Sequence, residues 1–573
     1  MLYLSMFVIG LTVGKGSHKG MARCSLLLSS IAFVMAAGIL WERSTVHRDD
    51  YSYDFDWLVI GDIFYRIGYE LNNVSSWLLM LIASLNILLL LLLHNKQEQQ
   101  MIASIYGYIG LLLSAVSGLV LADHMLTFFT CAILISCSVY LLLSHPVYGC
   151  VPKAIFRFVT AQLLGFSAFL VALVGLYWYM PDHSLQFTML ETVFSSSAPS
   201  FTPFMKKIIA GALVVSALLI AGISPYANWM KHIGTERPVL RVVMFCFANA
   251  LLPAYLLLRF HMIITEVDTV VWLCKLAGAI IVVWCTVRML LDAQQTLSYI
   301  GMMMVGIIVF AYGHGAYGYM IVQLTLILFS LIVIYGAKMQ SSSIIVYGAF
   351  LVAILTLIGV PPLSGYWMQQ SLVATIAGTS TGWFIVSLLV VLCSALGTTI
   401  YFTMQWKTQF NQTGKGMLPV VILPALLLIA IGLLWLVDYM QLEIWLFEKV
   451  TSESMKLLPM VLTMLSVAVG VIIAWLFSER ITDAFASSLE QADQQLKSQA
   501  ERFGRSVMRL GRSIVSLEQM IERGVVQLLT VWLPYPFRIV SRAGANGHLL
   551  HSVVLVVVFT AVVTALWYGI RGR

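Results

Sequence analysis

The chain has 573 residues, of which 60% are hydrophobic and 10% are charged, and its formal net charge is +7. Since a soluble domain carries roughly 25% charged residues, this composition excludes an ordinary globular protein and indicates a polytopic membrane protein. The basic residues are shared among short loops without an aromatic-interleaved basic patch, so we expect no nucleic acid partner.

Apolar runs, mostly of about 17 to 25 residues, recur along the chain, and each is long enough to cross a bilayer. Only helices satisfy their own backbone groups in lipid over such lengths, so the runs predict about sixteen transmembrane helices in an all-α protein. The runs lie near 2–14, 24–41, 74–93, 101–122, 125–143, 158–180, 208–230, 240–258, 269–291, 296–312, 318–337, 344–361, 382–404, 418–437, 457–477 and 551–570.

These runs fall into six predicted regions. The division rests on the spacing of the runs and on two interruptions, which recur at the fourth of five spans in each of two blocks. The regions are N-terminal transmembrane helices at 1–100, a first five-helix repeat at 101–258, a second at 269–404, C-terminal transmembrane helices at 418–477, a lateral amphipathic helix at 478–535 and a terminal transmembrane helix at 551–570.

The two interruptions are made by glycine and proline. Pro225 interrupts the run 208–230, and Pro361 and Pro362 end the run 344–361. Proline removes a backbone donor and clashes with the preceding turn, so we predict that both helices are broken. Matching breaks in two halves favour an inverted-repeat transport fold. Two ordinary kinks or span ends remain the alternative.

Lysine and arginine fall in alternate loops, after the first, fifth, seventh and eleventh runs. By the positive-inside rule that side of the membrane is cytoplasmic. The acidic loop from Asp49 to Asp56 then faces outward, and the lateral helix lies on the cytoplasmic face. We expect an integral protein of a bacterial inner membrane. The loops carry Lys15, Lys19, Arg23, Lys153, Arg157, Lys231, Arg237, Arg241 and Lys338.

The lateral helix is the strongest sign of a larger assembly. From about Ser478 to Leu533, apolar residues recur every three, four or seven positions, which predicts one helix on the order of 80 Å long. That length exceeds the width of one bundle, so we expect the helix to brace neighbouring membrane subunits. An interfacial helix bound to lipid is the alternative. The predicted contact stripe is Phe485, Leu489, Leu496, Phe503, Leu510 and Leu517.

Several short motifs, in a fixed order along the chain, resemble the motifs of a known protein family. L-N-N-V-S at 71–75 resembles L-D-x-L-S, D-H-M-L at 123–126 resembles D-N-L-L, and P-P-L-S-G-Y-W-M-Q at 361–369 resembles P-P-x-S-G-F-F-S-K. Weaker matches include P-V at 238–239, aligned with P-V-S-A-L-I-H, and Y-L-L-L-R at 255–259, aligned with Y-L-x-x-R.

The family so resembled contains the largest antiporter-like subunit of respiratory complex I, the large subunit of Mrp-type cation/proton antiporters and the membrane subunit of DAB-type inorganic-carbon complexes. The resemblance covers roughly residues 50 to 410 and implies two inverted five-helix repeats, each with a broken helix. A lateral helix followed by a final span also matches the complex I member.

Family members build proton half-channels on buried charged residues, and this chain has lost them. Where the family has a histidine in the span after the first broken helix, this chain has Met244 or Phe245. Buried charges in lipid are costly and are usually retained for ion pathways, so their joint absence predicts that the central proton axis does not conduct. The degenerate channel positions are Ile133, Ile220, Met289, Leu326, Ser330 and Gln369.

Few ionisable residues remain inside the spans. Lys275 lies about 10 Å by helix rise inside its span, and we prefer a snorkelling side chain over an ion site. Asp123 and His124 are expected to form a turn, and His314 to be solvated. No nucleophile with a base, phosphate loop or metal-ligand spacing is evident, so we expect no catalytic site, metal or cofactor in this chain.

Three functions fit these patterns. The first is an antiporter-like subunit with a dead proton axis and a scaffolding role, whose partners are other membrane subunits, including antiporter-like paralogues, and lipid. The second is the membrane subunit of an inorganic-carbon uptake complex with a soluble zinc-dependent, carbonic-anhydrase-like partner. The third is a stand-alone transporter of a non-proton substrate through polar residues such as Gln323, Gln369 and Gln370.

Overall fold

A computed structural model describes most of the first 477 residues. Several predicted features lie outside the described residues, namely Pro225, the stripe of the lateral helix and the terminal span at 551–570. The chain divides into two units, 1–489 and 490–573, and all described residues belong to the first. The described ranges are 2–13, 18–45, 50–60, 63–93, 103–145, 152–180, 185–195, 202–222, 238–291, 296–338, 344–409, 421–433 and 457–477.

Helices make up nearly all of the described part of this unit. The helices are α1 (Leu2–Val13), α2 (His18–Thr45), α3 (Asn73–Leu93), α4 (Ala103–Leu121), α5 (Met125–Ser144), α6 (Pro152–Tyr179), α7 (Phe187–Ser195), α8 (Pro203–Ile220), α9 (Pro238–Val243), a π-helix (Met244–Leu251), α10 (Leu252–Arg259), α11 (His261–Thr265), α12 (Asp268–Leu291), α13 (Thr296–Gly313), α14 (Tyr317–Lys338), α15 (Ile344–Ile358), α16 (Ser364–Ala377), α17 (Thr381–Gln409), α18 (Val421–Leu433) and α19 (Leu457–Phe477).

The expected polytopic helical architecture is confirmed. Within the described ranges, 12 helices are long and apolar enough to cross a membrane. Three further predicted spans correspond to shorter apolar helices: α1 has 12 residues, α15 has 15 and α18 spans Val421–Leu433. The total of about sixteen spans stays a prediction, because the last of them lies outside the described residues.

A β-hairpin replaces the expected acidic loop before α3. Strands β1 (Tyr51–Ile60) and β2 (Ile63–Leu71) pair antiparallel, with Tyr53 opposite Tyr69 and an irregularity between Asp56 and Leu58. The sequence analysis did not predict this hairpin. Its signal was present, because Tyr51, Tyr53 and Phe55 alternate with polar residues at the two-residue period of a strand.

The centre of the bundle is formed by three spans that are buried along nearly their full length. These spans are Leu240–Arg259, which includes the π-helix, Thr296–Gly313 and Tyr317–Ala337, whereas Gly20–Thr45 and Leu458–Trp475 remain largely exposed. A helix that is apolar all round is stable only when other elements surround it. The central spans therefore position the residues discussed below.

The hairpin packs against one end of the bundle, called here the hairpin end. The Asp123 amide donates to Gly68 O at 3.0 Å, and the Tyr255 hydroxyl donates to Val120 O at 2.7 Å. These bonds join β2, the α4–α5 turn and the last part of α10. Because successive spans alternate in direction, α9 and the last turn of α12 lie toward the opposite end.

Candidate functional site

The C-terminal end of α8, just before the first predicted break, is capped by amide side chains. Helix α8 ends at Ile220, where its last carbonyl groups lose their partners within the helix. Gln162 Nε2 donates to Ile220 O at 3.2 Å, and Asn249 Nδ2 donates to Ala221 O at 2.9 Å. Ser136 Oγ donates to Gln162 Oε1 at 2.9 Å and so orients that amide. Neutral donors thus satisfy the carbonyl groups at the end of α8.

The second break lies at the predicted prolines. Helix α15 ends at Ile358, and α16 begins at Ser364 after a cis Pro361–Pro362 bond. Buried Gln369 donates through Nε2 to Ile358 O at 3.3 Å. A neutral amide therefore occupies this break as well.

A close backbone approach fixes the geometry of the second break. Gly359 has a backbone φ of +84°, a conformation that residues other than glycine rarely adopt. A Cβ added at Gly365 would stand 1.7 Å from Thr356 O. The chain therefore turns back against α15 at this point, where any larger residue would collide with its backbone.

The predicted degenerate channel positions are spread through the unit. Ile220 is the last residue of α8, Gln369 lies on α16 beside the break after α15, and Met289 on α12 faces Gly397 beside Met303. Leu326 and Ser330 are buried on the central helix α14, and Ile133 on α5 is only partly buried. None of these side chains is ionisable.

The interior formed by α14, α16 and α17 contains buried polar atoms of uncharged side chains. Several buried oxygen atoms have no hydrogen-bond partner within the described part of the chain, although buried polar atoms in proteins are usually paired. These atoms are Gln323 Oε1, Ser330 Oγ, Gln369 Oε1, Gln370 Oε1 and Ser394 Oγ.

A buried ionic cluster at the hairpin end was missed by the sequence analysis. Arg259 donates to Glu70, lies 3.7 Å from Asp123 Oδ1 and stands 4.4 Å over the ring of Phe187. Burial, together with the negative charge of Glu70, raises the pKa of Asp123 to about 6 although Arg259 acts in the opposite direction. The expected turn at Asp123 is thus an electrostatic junction between the hairpin and two helices.

Neighbouring residues hold this cluster in place. Asn72 and Ser75 form a reciprocal cap at the start of α3, with both hydrogen bonds at 2.8 Å, and Asn72 Nδ2 also donates to Glu70 Oε1 at 3.2 Å. Gln186 Nε2 donates to Asp54 Oδ2 at 2.9 Å. The motifs at 71–75, 123–126 and 255–259 all contribute to the cluster, and their joint occurrence was the available signal.

Lys275 and His314 lie together at the hairpin end. Lys275 Nζ stands 5.7 Å from the ring centroid of Trp383, and the His314 ring lies 5.4 Å from the same ring. The expectation that His314 is solvated was wrong, because both of its ring nitrogens are buried and lack a hydrogen-bond partner among the described residues. Burial and the charge of Lys275 lower the pKa of His314 to about 3.

Arg241 is also more enclosed than the sequence analysis assumed. It was assigned to a basic loop, but it lies on α9 with 5% of its surface exposed. The buried hydroxyl groups of Tyr335 and Tyr401 lie within electrostatic reach of its guanidinium group. In the described ranges, no group of three or more His, Cys, Asp or Glu side chains is arranged to hold a metal ion.

No known family model matches the chain. Among curated proteins it is similar to chloroplastic NAD(P)H-quinone oxidoreductase subunit 5 of Ipomoea purpurea, with 23% identity over 399 residues, covering 63% of this chain and 55% of that protein. The corresponding protein of Zygnema circumcarinatum is 23% identical over 413 residues, covering 64% and 57%. The chain thus spans about half the length of the curated relatives it matches.

Solved structures share its fold. A chain of the Mrp complex from Dietzia sp. DQ12-45-1b superposes with a TM-score of 0.66 at 15% identity, covering 92% of this chain and 62% of that one. A chain of the archaeal membrane-bound sulfane sulfur reductase gives 0.63 at 13%, covering 89% and 98%. A chain of Thermus thermophilus respiratory complex I gives 0.56 at 19%, covering 76% and 95%. Motif order, curated relatives and fold are all similar to those of antiporter-like membrane subunits.

Proposed function

We propose that this chain is a membrane subunit of a multisubunit ion-translocating or energy-coupled complex, in which it holds neighbouring subunits together and does not conduct protons along the usual axis. Support for the complex comes from its relatives, whose names describe a subunit of an oxidoreductase and chains of Mrp and respiratory complexes. The partners are other membrane subunits, including antiporter-like paralogues.

The observation that carries the non-conducting axis is the hydrogen bond from Gln369 to Ile358 O. The C-terminal end of a half-helix has free carbonyl groups and a partial negative charge, which favours a cation there. In this chain an amide supplies the donor. An amide does not change its protonation state in the physiological range, so it can neither store nor pass on a proton.

The first break repeats this arrangement with different residues. Gln162 and Asn249 donate to the carbonyl groups at the end of α8, and Ile220 stands where the family has a lysine. At both positions a neutral amide side chain donates to a carbonyl group that has no partner within its helix. The loss of charge is therefore accompanied by hydrogen bonds that replace it. A chance loss of charge would leave those carbonyl groups without donors.

The scaffolding role rests on the predicted lateral helix, which lies outside the described residues. Burying each large apolar side chain of the stripe contributes roughly 1.5 to 3 kcal/mol, which is ample for docking. We place the protein in a bacterial inner membrane with this helix on the cytoplasmic face. The chloroplastic relatives make a thylakoid-type membrane the alternative. The relatives described above give no support to inorganic-carbon uptake, to a zinc-dependent partner or to a stand-alone transporter.

Proton conduction can be tested with the full chain reconstituted in liposomes that contain a pH-sensitive dye. After an imposed pH step, the internal pH should change no faster than in empty liposomes, and a proton ionophore should then collapse the gradient. The Gln369→Lys variant should remain equally tight, because the other channel positions stay neutral. Fast proton flux through the unmodified chain would refute the non-conducting axis.

Scaffolding requires a separate experiment. The tagged chain is purified from its native membrane with its subunits identified, and the same is done for the double variant Phe503→Asp with Leu510→Asp. We expect the double variant to lose at least one membrane partner. If it recovers every partner and only its membrane association weakens, the lateral helix is a lipid anchor instead.

A further inference from the structure

We propose that Lys275 binds the phosphate group of an anionic phospholipid at the hairpin end of the bundle, with the acyl chains lying along α12 and α17. Lipid binding at this point depends neither on the channel positions nor on the lateral helix, so it goes beyond the proposed function and can hold whether or not the axis conducts protons.

Lys275 carries a charge without a counter-ion. It is a half-buried residue of the span Asp268–Met289, and none of the ion pairs among the described residues includes it. On its own helix, Asp268 lies seven residues away (275 − 268), which is roughly 10 Å. An ammonium group inside a span is costly unless it is paired or reaches the membrane interface. Lys275 therefore favours an anionic ligand from outside the chain.

Neutral rings hold the lysine side chain in place. A Cβ added at Gly313 would stand 2.7 Å from Lys275 Cγ, so the stem of the lysine packs directly on α13. Lys275 Nζ lies 5.7 Å from the ring centroid of Trp383, and the His314 ring lies 5.4 Å from the same ring. Because burial and the charge of Lys275 lower the pKa of His314 to about 3, the imidazole stays neutral at physiological pH. These rings fix the position of the ammonium group without changing its charge.

Helices α12 and α17 run side by side in the same direction from this point. Lys275 lies beside Trp383, and Thr286 Oγ1 donates to Cys393 O at 3.0 Å. These two contacts are 11 residues apart on α12 (286 − 275) and 10 apart on α17 (393 − 383). Trp383 belongs to the first turn of α17, where the partial positive charge of a helix N-terminus adds to the attraction for an anion.

Both helices also expose large apolar side chains from the level of Lys275 inward. Tryptophan is enriched where headgroups meet acyl chains, so Trp272 and Trp383 place the lysine at headgroup level. A positive charge at the end of an apolar surface matches an amphiphile with an anionic head better than it matches a free anion. The exposed side chains, each 36% to 66% accessible, are Trp272, Ile280, Val283, Ile385 and Leu389.

The test uses the full chain in phosphatidylcholine nanodiscs that contain increasing fractions of photoactivatable phosphatidylglycerol. Crosslinks to α12 and α17 are quantified by mass spectrometry, which gives the lipid fraction at half-saturation. Lys275→Met should raise this fraction about fivefold, the contribution of one lysine to binding an anionic lipid, and Lys275→Arg should leave it unchanged. Lys206→Met is the matched control, since Lys206 already pairs with Glu266 at 2.6 Å, and it should also leave the fraction unchanged.

Competition on the unmodified chain keeps the test decisive if Lys275→Met folds poorly. Unlabelled phosphatidylglycerol should displace the photoactivatable lipid, whereas inorganic phosphate at millimolar concentration should not. Displacement by inorganic phosphate overturns the lipid and assigns the site to a free anion. An unchanged half-saturation in Lys275→Met overturns the site. Equal crosslinking by phosphatidylglycerol and phosphatidylcholine probes also overturns it, and leaves a carboxylate of another subunit as the counter-ion of Lys275.

Discussion

Removing Arg259 should destabilise the hairpin end, and the loss should grow with pH. In the Arg259→Met variant, Glu70 and Asp123 would remain in place with 13% and 2% of their side-chain surface exposed and without their cation. Breaking a buried ion pair by removing one partner costs about 3 to 5 kcal/mol. Loss of the contact with Phe187 adds about 0.5 to 2 kcal/mol.

The pH dependence follows from Asp123. Its pKa of about 6 lies above the ordinary value of 3.8, so the folded state holds the proton more tightly than the unfolded state. The free energy of unfolding therefore falls as pH rises from about 4 to 6. Without Arg259 the pKa of Asp123 rises further, because the one charge that lowered it is gone, and the decline should extend to higher pH.

The measurement is thermal unfolding of the purified chain in detergent at pH 5.5, 7 and 8.5. The difference between Arg259→Met and the unmodified chain should be smallest at pH 5.5 and largest at pH 8.5. Lys206→Met provides the matched control, since Lys206 pairs with Glu266 at 2.6 Å with side chains 26% and 36% exposed, and a pair of this kind contributes at most about 1 kcal/mol. An equal loss at all three pH values, or a loss no larger than in the control, would refute the reasoning.

Three further predictions concern other parts of the unit. Gly365→Ala should prevent the second break from forming and sharply lower the yield of folded protein, whereas Gly348→Ala, whose added Cβ meets nothing within 4 Å, should leave it unchanged. Gln369→Leu removes the donor to Ile358 O and should lower the free energy of unfolding by about 1 to 3 kcal/mol. Gln369→Lys, which keeps a donor group, is the comparison. An unchanged free energy of unfolding in the leucine variant would show that this hydrogen bond does not stabilise the fold. The pKa of His314, about 3, lies below its ordinary 6.5, so the folded state binds that proton more weakly and stability falls as pH drops below about 6.5. His314→Gln should therefore lose less stability than the unmodified chain between pH 6.5 and 5, and a parallel loss would contradict this assignment.

Hydrophobic patterning predicted the spans because apolar length is a local property of the sequence. The second break was equally readable, since Pro361 and Pro362 constrain the backbone wherever they stand. The hairpin was overlooked because its acidic residues suggested an exposed loop, although its aromatic residues alternate at strand period.

Contacts between distant segments were out of reach of the sequence. Glu70 and Arg259 are separated by 189 positions, and only the packing of the hairpin on α10 brings them together. The burial of Arg241 was also out of reach, because in the sequence it is only one of several basic residues near the ends of spans. Gln369 was identified as a lost charge, but its hydrogen bond to Ile358 O depends on the return of the chain after the prolines.

The π-helix from Met244 to Leu251 sets the rotational phase of the central span. Its wider turns absorb additional residues compared with an α-helix, so the two ends of the span face directions that a regular 3.6-residue period would not give. Converting this stretch to a regular α-helix of the same length would turn Arg241 by about 100° relative to Arg259. A change that removes the wide turns is therefore far more disruptive than the apolar composition of the stretch suggests, because it exchanges which neighbours face the buried arginine.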